Sequence, residues 1–158
     1  MEELKAYRVD LLAALEGVID VLAKTVADLP ASKWIQPIHP VGHTPHYILF
    51  HLRALELQVF AIELPRFLVE DTPTLPAFDD ESWMAQHYSA EEPPSTILEQ
   101  LKQVRHQELT WLRNLSPAGW SHLGRHPWWG LHSLQWWVEL QVDYSYQHLK
   151  QLSVLHDT

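Results

Sequence analysis

The stretch Leu134–Leu155, LQWWVELQVDYSYQHLKQLSVL, decides the fold. At 3.6 residues per turn, Leu134, Trp137, Gln141, Tyr144, His148 and Leu155 fall on one stripe of a helix. An amide, a phenol and an imidazole therefore face the same way as the apolar anchors. Buried without partners they would cost roughly 1–3 kcal/mol each. They must satisfy one another or line a cavity holding water, a metal or a ligand.

Three more amphipathic segments precede this one. Residues 3–29 repeat apolar side chains every three or four positions, through Leu15, Leu22, Val26 and Leu29, until Pro30 ends the pattern. Thr44 followed by Pro45 is a helix start, because the hydroxyl caps free N–H groups and proline has none to lose. The helix it opens, residues 44–64, is too apolar for one narrow stripe, so more than one of its faces must be covered by neighbours or a partner subunit. Pro65 requires a break or a kink. Ser95 opens a third helix over residues 95–115, closed by Pro117 and Gly119, and Ser133 caps the fourth, residues 133–155. Between the second and third lies DTPTLPAFDDESWMAQHYSAEEPP, residues 71–94, a surface excursion with a short helix from Asp79 to His87 and an acidic, solvated face. The connections at residues 31–42 and 120–132 carry proline, glycine and tryptophan, and no segment reads as a strand. The expectation is an all-α, antiparallel four-helix bundle with long crossover connections, a single domain over residues 1–158.

Composition narrows the function classes. Twenty acidic residues against eleven basic give a formal charge of −9, which repels a phosphate backbone and leaves no basic stripe for nucleic acid. There is no signal-peptide pattern and no membrane-length apolar run, so the reading is a soluble, cytoplasmic chain. With no cysteine, any metal is held by nitrogen and oxygen, and no thiolate of the chain itself is a nucleophile. Eight tryptophans are most simply core and interface filler, with a tryptophan wall around a pocket as the other reading.

A bundle site is built from inward side chains on facing helices. If the second and fourth helices run antiparallel, His51, two turns into one, meets His148 in the last turns of the other. The bland reading of either is a core imidazole bonded to a neighbour.

The segments HTPHYILFHLRALE (residues 43–56), LPAFDDESWMAQHYS (75–89), the third helix and DYSYQHLKQL (143–152) together resemble the DinB/YfiT-like metalloenzymes, four-helix bundles that usually dimerise. The resemblance covers nearly the whole chain. It implies a divalent metal, zinc or nickel, held by a histidine of the second helix and an HxxxH pair of the fourth. Position by position the ligands fall on His51, Tyr144 and His148, so a tyrosine stands where the family has its first HxxxH histidine. Tyr144 then binds as phenolate, or is a catalytic group orienting water or substrate. His46 and Asp143 are the other conceivable substitutes, both off the inward stripe. The implied activity is a transferase or isomerase using a low-molecular-weight thiol as cosubstrate on a small molecule, in a homodimer. The other class is a non-catalytic ligand-binding or structural homodimer that has lost the metal. His51 and His148 are expected to face each other with Tyr144 between them.

Overall fold

The computed structural model describes residues 1–40 and 42–157. Seven helices follow in order: α1 (Glu2–Asp28), α2 (Pro45–Leu55), α3 (Ala61–Glu63), α4 (Arg66–Val69), α5 (Asp80–His87), α6 (Pro94–Arg113) and α7 (Leu134–Ser153). A π turn, Glu56–Phe60, joins α2 to α3 without a break in the rod. The caps are the ones the sequence announces: Thr44 Oγ1 accepts from Tyr47 N–H and Ser133 Oγ from Trp136 N–H. Pro65 does end the long second rod, and the next helix is only Arg66–Val69.

The bundle is formed by α1, the α2–α3 rod, α6 and α7. α1 and α2 each pack on both α6 and α7 and lie on opposite corners. Contacts set the directions. His51 meets His148 and Glu56 meets Gln141, so α2 and α7 are antiparallel. Arg53 meets Gln100 and Glu56 meets Arg105, so α2 and α6 run the same way. Arg8 meets Gln135, placing the starts of α1 and α7 together. The order is up, down, down, up, and two consecutive rods pointing down require the chain to climb the full height of the bundle between them. Residues 64–93 make that climb, carrying α5 across the α2–α7 face.

The connection before α7 corrects the sequence reading. Leu123–His126 (β1) pairs antiparallel with Gly130–Ser133 (β2), and Gly130, at φ 78°, takes the left-handed conformation the turn needs. A Cβ at Gly124 would sit 2.7 Å from the Phe67 ring, so only glycine lets the hairpin close on α4. The crossover is laced to this hairpin by Leu75 N–H to Arg125 O and Arg125 N–H to Pro73 O, each 2.8 Å. The apolar width of the second helix is also accounted for within one chain, because α5, α6 and α7 cover it, and Ile48, Leu49, Phe50, Leu52 and Ala54 are all buried.

At mid-height the core is ionic. Arg105 bonds Glu56 through Nε (2.8 Å) and Nη2 (3.0 Å), the Leu15 carbonyl (2.8 Å) and Ser145 Oγ (3.3 Å). Gln141 donates to Glu56 (2.8 Å) and Glu108 (2.5 Å). Burial opposes ionisation of Glu56, but the Arg105 guanidinium and the surrounding hydrogen bonds outweigh it and hold its carboxyl below the usual range. Burial and the Glu56 carboxylate push Glu108 well above that range, so it stays protonated and hydrogen-bonds Glu56 as an acid. Removing one partner of such a buried network leaves a bare charge. Arg105→Ala should lose about 3–5 kcal/mol in denaturant unfolding, whereas Arg66→Ala, which breaks an exposed pair with Glu70, should lose under about 1 kcal/mol. Equal losses would contradict this assignment of the core.

Candidate active site

Along the α2–α7 face, under the crossover, runs a cleft of about 530 Å³. Its upper part holds His51, Asp80 and His148, with Tyr144 below them; its lower part holds Glu63, Trp137 and the hairpin tryptophans Trp128 and Trp129.

The two histidines named from sequence are together, with His51 Nδ1 and His148 Nε2 3.1 Å apart. Each far nitrogen is fixed by an acceptor. His148 Nδ1 donates to the Tyr144 carbonyl at 2.7 Å, an i to i−4 bond within α7. His51 Nε2 lies 2.8 Å from Asp80 Oδ2, at the start of α5. A carbonyl and a carboxylate only accept, so each ring carries its proton on the far nitrogen. The near nitrogens are then two lone pairs pointed at each other. Such a contact is repulsive unless a cation lies there, either a proton or a metal ion. Burial drives His148 down to about 4 against the pull of the Tyr144 carbonyl, so at neutral pH His148 does not supply that proton, and a bridging proton would have to be carried by His51 Nδ1.

Tyr144 is where the expectation fails. The direct contact of the two imidazoles leaves no place for a phenol between them, and the ring packs instead against Phe60, centroids 6.3 Å apart. Its backbone, not its hydroxyl, touches His148. Burial, and then the Asp80 charge, push the phenol above its ordinary value, so it stays a neutral hydrogen-bond donor facing the cleft. The substitutes are elsewhere. His46 is held by Tyr88 Oη (2.9 Å) and the Glu92 carbonyl (2.6 Å), and Asp143 is exposed on the outer face of α7. Among the described residues no three histidine, aspartate or glutamate side chains converge as a metal site.

Two features escaped the sequence reading. Asp80 belongs to an acidic run that the sequence reads as a solvated face; Asp79 does cap α5 by accepting from Ser82 N–H, but its neighbour turns to His51. Glu63 was one charge at the end of a helix. Its side chain is 2% exposed and its Oε2 has no partner among the described residues, which leaves burial to raise it to about 7 against a small opposing pull from Arg66. The tryptophan wall is present. His126 Nδ1 accepts from the backbone N–H groups of Trp128 (3.1 Å) and Trp129 (3.4 Å), and its ring stacks on Trp129 at 4.3 Å.

The raised Glu63 makes a stability prediction. Its folded value lies above its unfolded one, so its contribution is intact below about pH 4.5 and is lost as pH rises through 7, when the unfolded chain ionises first. Glu63→Gln should match wild type at pH 4 and exceed it at pH 8 by about 2 kcal/mol, after discounting for the open side of the cleft. Urea midpoints at the two pH values check this, and an equal effect at both would mean Glu63 has a partner.

Comparison with known proteins follows this geometry. Residues 14–152 match the DinB superfamily. The solved structure of YfiT from Bacillus subtilis, described as a probable metal-dependent hydrolase with an unusual four-helix bundle topology, superposes with a TM-score of 0.82 at 22% identity. The match covers 92% of this chain and 83% of that one, and at this identity it establishes the shared bundle alone. No curated protein matches the sequence.

Proposed function

This chain belongs to the DinB superfamily, and from that premise we propose that it is a small-molecule enzyme whose centre is the His51–His148 pair, the two imidazoles holding a divalent metal ion. One observation carries the reading: two imidazole nitrogens set 3.1 Å apart, each ring fixed by a bond on its far side. Two nitrogens bound to one tetrahedral zinc at ~2.0–2.1 Å stand ~3.3 Å apart, so the spacing suits a shared ion. A far N–H tied to a carboxylate or a backbone carbonyl is also the usual support of a metal-bound imidazole. The fit is to two ligands, not three, because the Tyr144 ring packs on Phe60 instead of lying between the imidazoles. Affinity is accordingly low.

When bound, a divalent ion supplies Lewis acidity to polarise a substrate oxygen or sharpen a nucleophile. The chain supplies the rest. Asp80 fixes the ring of His51 and balances positive charge beside it. Tyr144 offers a neutral O–H to an oxygen of the substrate. Trp128, Trp129 and Trp137 shelter an apolar body from water. YfiT is described as a probable metal-dependent hydrolase, and attack by water or by a low-molecular-weight thiol on a small electrophile are both compatible with this cleft; the thiol must come from a cosubstrate, since the chain has no cysteine.

The test is a zinc and nickel titration of tag-free protein. Wild type should bind one equivalent weakly, and Asp80→Asn should weaken binding about tenfold. Tyr144→His should tighten it by roughly a hundredfold, about 2.7 kcal/mol, and His51→Ala in that background should remove the gain. Tight binding by wild type would make the phenol, or another group, a true ligand. No binding by wild type at millimolar metal, with no gain in Tyr144→His, would overturn the metal centre in favour of a binding module.

A further inference from the structure

The lower end of the cleft is a second polar centre that the histidines do not use. From His51 to Glu63 the rod descends twelve residues, roughly 18 Å at 1.5 Å per residue, so the two centres are separate. Glu63 is buried, bonds nothing among the described residues and lines the cleft. The indole N–H of Trp137, 1% exposed on the same wall, also lacks an acceptor. An unpaired buried carboxyl is costly, and its persistence points to a partner that arrives from outside. The surroundings define that partner. Trp128 and Trp129 stand nearly perpendicular, centroids 6.4 Å apart, and Trp129 meets Trp137 edge-on at 5.7 Å. Trp128 is 66% exposed although His126 holds its backbone in place, so an indole is fixed in position without being covered. Indole faces that share a cleft with an unpartnered carboxyl attract an organic cation more than an anion or a neutral group, and Arg66, which pulls on Glu63 from a distance, is itself bonded to Glu70.

We propose that this end of the cleft binds the ammonium group of a small organic amine, with Glu63 as counter-ion and the Trp128 and Trp129 rings as walls. The inference names the substrate class for the cleft proposed above as the active site, and it rests on that cleft taking a small molecule: an elongated amine lies with its cation at Glu63 and its other end toward the histidines. Binding of the cation leaves Glu63 ionised and releases any proton it carried to solvent. Trp137 offers its N–H to the ligand or to the same carboxylate.

The experiment is calorimetric titration of the full chain, stripped of metal by a chelator, with phenethylamine and with its neutral counterpart 2-phenylethanol. Wild type should prefer the amine by about tenfold or more. Glu63→Gln, nearly isosteric, should abolish the preference, and Trp128→Ala, at an exposed position, should weaken the amine several-fold with the fold intact by circular dichroism. Equal binding of the two probes, no binding of either at millimolar concentration, or a preference that survives in Glu63→Gln would overturn the proposal. Zinc titration of Glu63→Gln should match wild type. A wild type that binds zinc but shows no amine preference sinks this inference alone, whereas a wild type that prefers the amine but binds no zinc sinks the metal centre alone.

Discussion

One guanidinium pins the bundle. Arg105 reaches from α6 to the Leu15 carbonyl on α1, to Glu56 at the head of the π turn, and to Ser145 on α7, so all four rods are tied at one height by a single side chain. A buried ion pair is weak evidence of stability, since apolar packing of the same volume often does as well. What it supplies is register. Helices joined by long crossovers can slide, and a side chain with fixed donors toward three other rods meets all its acceptors in one alignment only. That alignment brings His51 level with His148, five residues from Glu56 along α2 and three from Ser145 along α7, and it sets the height of the cleft.

The π turn belongs to the same constraint. An extra residue in one turn shifts the face that follows it by about 100°. Before the turn, α2 directs His51 at α7; within it Glu56 points into the core; beyond it Glu63 lines the lower cleft. The rod thus contributes to the ionic core and to both ends of the cleft.

Much of this was legible in the sequence, for a physical reason. Helical periodicity is local, and the caps at Thr44 and Ser133, the stop at Pro30 and the break at Pro65 depend on residues within a few positions of each other. The pairing of His51 with His148 came from helix direction and the family resemblance, and the two rings do meet, though Tyr144 does not come between them. The missed features are long-range or look ordinary. Asp80 and Asp79 are adjacent carboxylates, and only the path of the crossover decides that one caps a helix while the other meets a histidine. Glu56, Arg105 and Glu108 look like surface charges because each sits in an amphipathic helix at a position where a charge normally faces water. The β hairpin is four residues a side, with Pro127, two tryptophans and a histidine at its turn, and such short strands have too little alternation to announce themselves.

The tyrosine at position 144 changes what the site can be used for. A third imidazole would enclose an ion with protein ligands and leave one open position. With two, an ion would keep more positions for groups the chain does not supply, and the burden of holding a substrate would move to the walls of the cleft. Those walls are heavily built: three indoles, a phenol held neutral and a carboxyl without a partner line the same cleft as two histidines. Weak metal affinity and strong cleft recognition are compatible if ion and substrate bind together. The substrate's own donor atom can then complete the coordination that Tyr144 leaves short, and each ligand strengthens the other by the same factor.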